Sequence, residues 1–141
     1  MPSMTKFYQF IEDVYKKVHN LGAGADALTL FLTTQANIPV VTNSVIANIT
    51  QIAYTNLSSR VLTVSSCAHT LGVLKIVITD LVLTASGAVA TFRHAGIYND
   101  TPTSPADPLL GWYDYGSDIT LANAETFTVD FDATNGILQA T

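Results

Sequence analysis

Leu28-Thr29-Leu30-Phe31-Leu32-Thr33 is the stretch that decides the fold. Leu28, Leu30 and Leu32 alternate with Thr29, Phe31 and Thr33, and a period of two belongs to a β-strand with one wholly aliphatic face. From this strand the chain can be read in both directions.

Upstream the period changes. Phe7, Phe10, Ile11, Val14, Tyr15 and Val18 recur at three- and four-residue spacing, which predicts an amphipathic helix from Thr5 to Asn20. Thr5 is a candidate cap. Gly22, just past the last periodic residue, can take the left-handed conformation that ends helices. Gly22-Ala23-Gly24-Ala25-Asp26 then reads as a joint between helix and strand. It permits the helix to pack at home, the favoured reading, or to reach a neighbour as an arm. Phe10 and Val14 are the candidate contacts in the second case.

Downstream, Gln35 to Asn56 is ambiguous. Thr42-Asn43-Ser44 could cap a short helix through Val45, Ile46, Ile49 and Ile52, or the segment could be a loop. From Arg60 onward the chain reads β. Val61 to Val64 is one run, and Leu74, Ile76 and Ile78 alternate. Leu81 and Leu83 continue on the other parity, so Thr79-Asp80 is a bulge or a corner between sheets. Val89 to Tyr98 is the next strand, followed by a loop from Asn99 to Pro108 and a short aromatic strand from Leu109 to Tyr115. Gly116-Ser117 and Asn123-Ala124 read as turns. Phe127, Val129 and Phe131 alternate with Thr126, Thr128 and Asp130, and Asn135-Gly136 is a hairpin signal before Ile137-Leu138. Many short strands predict a mainly β fold: an antiparallel β-sandwich or a jelly-roll/barrel with one N-terminal amphipathic helix. The expected organisation is a single domain over 1–141, with the helix in 1–22 and the β domain in 26–141.

Bulk properties narrow the function. The 141 residues fit one domain, and only 12% are charged, about half the usual share. Six Lys and Arg against a net charge of −5 make no phosphate-binding stripe and no match to an anionic membrane. No apolar run reaches membrane-spanning length. Glu12 and Asp13 fall where the apolar core of a signal peptide would lie, so no secretory signal is expected. The single cysteine, Cys67, allows no intrachain disulfide and reads as a small buried side chain.

Chemistry-bearing motifs are few. There is no phosphate-loop, dinucleotide or H-E-x-x-H signature. Arg93-His94 is the best catalytic-looking pair, but strand neighbours point to opposite faces and should not converge on one atom. Asp130 and Asp132 alternate opposite Phe127 and Phe131 as a solvated face would. Asp132-Ala133-Thr134-Asn135-Gly136 is short for a calcium loop. No catalytic residue, cofactor or metal is therefore expected. Leu109 and the cluster Trp112-Tyr113-Asp114-Tyr115 read first as core and edge packing. Leu109, Trp112, Tyr113 and Tyr115 are candidates for a partner-contact patch, because aromatics are enriched at interfaces.

Two stretches carry a family resemblance. One is Thr5-Lys6-Phe7 through His19-Asn20-Leu21-Gly22 with Asp26-Ala27-Leu28. The other runs from Phe92-Arg93-His94-Ala95-Gly96-Ile97-Tyr98-Asn99-Asp100-Thr101, through Pro108-Leu109-Leu110-Gly111-Trp112-Tyr113-Asp114-Tyr115-Gly116-Ser117, to Glu125 to Phe131. Together they make the chain similar to small virion structural proteins of tailed phages. The chain departs from that pattern at Asn123-Ala124, where similar chains carry Asp-Gly, and at Ile52 to Arg60, which lacks a glycine-rich insertion. The resemblance implies a capsid cement or decoration subunit that binds the major capsid protein or other virion subunits. It implies a place in the phage particle after synthesis in the host cytoplasm, and no catalytic residues. Neutral β surfaces and exposed edges add the expectation of a homo-oligomer. A head–tail or tail component is the alternative within the particle. A carbohydrate-binding sandwich using Trp112 to Tyr115 is the alternative outside it.

Overall fold

A computed structural model describes residues 3–141, so the first two residues of the expected 1–22 segment lie outside the described residues. The strands are β1 (Thr5–Lys6), β2 (Leu28–Thr33), β3 (Val61–Leu62), β4 (Val64–Thr70), β5 (Val73–Ile78), β6 (Leu81–Thr84), β7 (Phe92–Asn99), β8 (Leu109–Ile119), β9 (Thr126–Val129) and β10 (Leu138–Ala140). One α-helix, α1 (Tyr8–Tyr15), lies near the N-terminus. The fold is mainly β and antiparallel, in the sandwich class expected from the alternation. A five-stranded sheet, β1-β8-β7-β2-β3, accompanies a three-stranded sheet, β10-β5-β4, and a two-stranded sheet, β6-β9.

One apolar cluster joins the sheets. It contains Leu28, Leu30, Leu32 and Ile97 of the large sheet, Ile76 and Ile78 of the second, and Leu83 and Val129 of the third. The aliphatic face of β2 thus points into the core. The other face is covered too. Phe31 packs with Phe7, Leu109 and Trp112 beneath Val41, Ile46 and Ile49, so β2 is buried along its whole length. Gly96 permits this: a Cβ there would lie 2.0 Å from the Phe31 ring.

Thr79-Asp80 is the corner rather than the bulge, since β5 and β6 belong to different sheets. The Asp80 carboxylate accepts the Phe131 N–H at 2.9 Å there. Val61 to Val64 also divides, β3 pairing with β2 and β4 with β5.

Several expectations are corrected. The helix spans eight residues, not Thr5 to Asn20. Thr5 does not cap it but pairs with Trp112 in β1. The helix stops because Lys17, at φ 62°, takes the left-handed position assigned to Gly22. The Val18 N–H then donates to the Asp13 carbonyl, and the Lys17 N–H to Val14, closing the end. Gln35 to Asn56, left open between a short helix and a loop, is a loop with two single turns of 3₁₀ helix, Gln35–Asn37 and Ile46–Asn48. Gly116-Ser117 is no turn: β8 runs on to Ile119, and pairing with β7 jumps from His94↔Asp114 to Phe92↔Ile119 across a bulge. Asn135-Gly136 makes no hairpin, because β9 pairs with β6 and β10 with β5. Ala124 adopts φ 70° at the Asn123-Ala124 turn, a conformation alanine disfavours.

Candidate interaction surface

The six residues offered as partner contacts mostly lie inside the chain's own core, which corrects that reading. Phe10 and Leu109 are fully buried, and Val14 packs half-buried against the central cluster. Trp112 is buried with its ring 4.7 Å from Phe7, and Tyr113 is buried beside Phe131 at 6.1 Å. Only Tyr115 is half exposed, edge-on to Phe127 at 5.3 Å. Pairing of β1 with β8 and the bulge that begins after Asp114 separate the buried part of β8 from the exposed part. With Trp112 and Tyr113 buried, Tyr115 alone of that cluster presents its ring to solvent.

A different set of apolar residues faces outward. Tyr8 is 72% exposed, Ile11 43% and Tyr15 86%. They stand at i, i+3 and i+7 on α1, which places them on one stripe. The next segment adds Ile38 and Val40, both exposed, and the Tyr8 N–H donates to the Val41 carbonyl at 2.9 Å. The apolar side chains of α1 therefore divide between two faces, Phe10 and Val14 inward and Tyr8, Ile11 and Tyr15 outward. Sequence reasoning missed this by placing Ile11 and Tyr15 on the buried stripe. Asp13, only 3% exposed, lies inward although the pattern places it off the apolar stripe. Tyr8 and Tyr15, two helical turns apart, were the available signal.

Two sets of buried polar groups lie in and after the helix. Gln9 Nε2 donates to Asp13 Oδ1 at 3.1 Å, while Asp13 Oδ2 is buried with no partner. Asn99 Nδ2 donates to Asp26 Oδ2 at 2.6 Å and lies 3.1 Å from His19 Nδ1. Because the Asn99 nitrogen is the donor, His19 Nδ1 is the acceptor and its proton sits on Nε2. The Asn20 N–H donates to the same Asp26 oxygen at 2.8 Å. Burial lowers the His19 pKa, outweighing the opposite pull of Asp13 and Asp26. These groups span the Gly22-to-Asp26 joint and tie both of its ends to the end of β7.

Arg93 and His94 do not share a hydrogen-bond partner: Arg93 binds Asp114, while the buried His94 Nδ1 has none among the described residues. Arg93 Nε donates to Asp114 Oδ1 at 2.8 Å, and His94 Nδ1 lies 3.8 Å from that same oxygen. The extra residues of the bulge lie in β8, between Asp114 and Ile119, while Phe92 and His94 stay buried on one side of Arg93. The Arg93 guanidinium holds the Asp114 carboxyl at about 2, and the Gly116 N–H adds to this. Burial lowers the His94 pKa more than Asp114 raises it. His94 Nε2 is 3.3 Å from Gln35 Oε1, and the ring is buried. Its neighbour across the sheet, Thr33, is wholly buried, so no hydroxyl there is open to a substrate.

The remaining candidates are structural. Asp132 Oδ1 accepts the N–H groups of Thr134 and Asn135, each at 2.8 Å, which commits that oxygen to the turn rather than to calcium. A cleft of about 370 Å³ between Lys6, Tyr113, Asp132 and Gln139 contains a phenol that burial pushes up to about 12. Cys67 is half-buried rather than fully buried. Among the described residues, no group of three or more His, Cys, Asp or Glu is placed to hold a metal ion. Among the described residues, no helix is long and apolar enough to cross a membrane.

Comparison with known protein families, with curated proteins and with solved structures finds no match to this chain.

Proposed function

We propose that this chain is a non-enzymatic structural subunit of a tailed-phage particle, bound to the major capsid protein as a cement or decoration protein. One observation carries the reading: Tyr8, Ile11 and Tyr15 form an exposed apolar stripe on a helix whose other face is fixed in the core. A rigid helix face offering two tyrosines and an isoleucine suits a groove between protein subunits, where aromatic anchors contribute most. The stripe needs no hinge motion to be presented. The net charge of −5 suits the outside of a shell, where nothing contacts packaged DNA. The family resemblance over both ends of the chain points the same way.

The experiment is electron cryomicroscopy of purified particles of the phage encoding the chain, beside particles carrying Tyr8→Glu and Tyr15→Glu together. The expected result is many copies distributed over the shell, with α1 against the capsid protein and occupancy lost in the double variant. Copies confined to one vertex would replace the cement role with a head–tail role. Absence from the particle would overturn the reading.

A further inference from the structure

We infer that the cleft between β1 and β10 binds the carboxylate group of an aliphatic acid, held by the Tyr113 phenol and the Lys6 ammonium. The cleft encloses about 370 Å³, with Lys6 of β1 on one side, Ile137 and Leu138 on the other, and Tyr113 of β8 between them. Small-molecule sites ordinarily run from about 300 to about 1,000 Å³. The sheet register explains why these groups converge. Lys6 pairs with Gly111, and paired residues project to the same face of a sheet. Tyr113, two residues on, shares that face. It is the face turned to the central cluster, where the Tyr113 ring packs beside Phe131. Lys6 is nevertheless exposed, since the cleft separates β1 from β10 at this margin of the sandwich.

Both groups are donors without a partner. Tyr113 is only 5% exposed, and its phenol makes no hydrogen bond among the described residues. Burial pushes that phenol up to about 12, so it keeps its proton at neutral pH and donates. A buried hydroxyl without a partner costs free energy, which an acceptor seated in the cleft recovers. Lys6 forms no ion pair among the described residues. Two donors, one of them charged, match the two oxygens of a carboxylate. Asp132 borders the same cleft and repels an anion, but its oxygens are occupied. Oδ1 accepts from the Thr134 and Asn135 N–H groups and Oδ2 from Asn135 Nδ2, each at 2.8 Å. The Asn135 N–H and side-chain amide, the Thr134 N–H and Lys75 together hold the carboxyl below its usual range. Lys75 Nζ donates to the Thr134 carbonyl at 3.0 Å, so this corner carries two cations against one carboxylate, in a chain of net charge −5.

The class of acid follows from the rest of the lining. Met4 and Leu138 are partly buried and Ile137 is buried, so one wall of the cleft is apolar. A short aliphatic chain fits beside them and gains from burial. A phosphate brings more oxygens and more charge than two donors satisfy. The same carboxylate chemistry belongs to a free short-chain acid and to the C-terminal end of a polypeptide. The site shares no residue with the outer face of α1 and stands whether or not that face meets a shell.

The test is titration of the unmodified full chain with butanoate, followed by amide chemical shifts in two-dimensional NMR. Shifts at Lys6, Tyr113 and Leu138 should saturate at millimolar concentration, and butan-1-ol, which lacks the carboxylate, should give none. Tyr113→Phe should weaken binding by about tenfold, the loss of a hydrogen bond to a charged acceptor. Lys6→Gln, at an exposed site, should weaken it by about threefold and leave the unfolding midpoint in place. An N-acetylated peptide ending in valine separates the two sources. Tighter binding than butanoate by its free-carboxyl form assigns a polypeptide end, weaker binding a free acid, and both keep the carboxylate site. No saturation below about 50 mM would overturn the proposal. So would equal binding of butan-1-ol, or unchanged affinity in a folded Tyr113→Phe variant. If that variant does not fold, unchanged affinity in Lys6→Gln overturns it instead.

Discussion

Ala124 sits at φ 70° in the turn closed by the Glu125 N–H on the Ala122 carbonyl at 3.1 Å. A left-handed conformation costs a residue with a Cβ about 1–2 kcal/mol, and glycine avoids most of that. Ala124→Gly should therefore raise stability by about 1 kcal/mol, measured by urea unfolding, despite the looser unfolded chain. A loss of stability would mean that the turn does not hold this conformation in solution. Two histidines give the second prediction. Burial holds both His19 and His94 below the ordinary 6.5, so the folded chain binds protons less readily than the unfolded chain. Stability is then greatest above about pH 6.5 and falls as the pH drops below it. Asp114, held at about 2 by Arg93, adds a later loss as the pH falls from its ordinary 3.8. The urea midpoint should drop between about pH 7.5 and about pH 5, and less in a folded His94→Gln variant. A flat profile would remove the argument.

At the scale of elements, what was legible depended on whether the deciding interaction was local. Strand β9 and the aliphatic face of β2 follow from period-two alternation, which needs only the strand and one core. The corner at Thr79-Asp80 was visible as a phase slip for the same reason. The end of α1 was not, because Lys17 carries no sign that it will take a left-handed conformation, whereas Gly22 does. Asn135-Gly136 looked like a hairpin but closes a turn built on Asp132, since its two flanking strands are claimed by other partners. The contact residues failed for a related reason: aromatic composition suits both an interface and a core, and only the pairing of β1 with β8 decides for Trp112. The two faces of α1 can be separated by experiment. Phe10→Ala removes a fully buried ring and should cost about 3–5 kcal/mol in urea unfolding. Tyr15→Glu, on the exposed face, should change stability by no more than about 0.5 kcal/mol. Equal effects would contradict the division of the helix.

For the molecule as a whole, the expected boundary between an N-terminal helix and a β domain from residue 26 leads to the last prediction. The N-terminal segment contributes to both sides of the large sheet. Phe10 and Leu21 belong to the central cluster, while Phe7 stacks on Trp112 in the cluster on the opposite face. β1 also supplies the neighbour of β8, and Asn99 at the end of β7 binds His19 and Asp26. A chain beginning at Asp26 would thus lose three large core side chains, expose the β8 edge and leave Asn99 without its His19 contact. Burial of each large side chain is worth about 1.5–3 kcal/mol. Three such losses approach the whole stability of a domain this size, which is about 5–15 kcal/mol. The truncated chain should show no cooperative thermal transition and should bind a hydrophobic dye, while the full chain melts in one step. A truncated chain that melted cooperatively within a few degrees of the full chain would show that the β sandwich closes without its N-terminal segment. It would also return α1 to the role of an arm free to dock elsewhere.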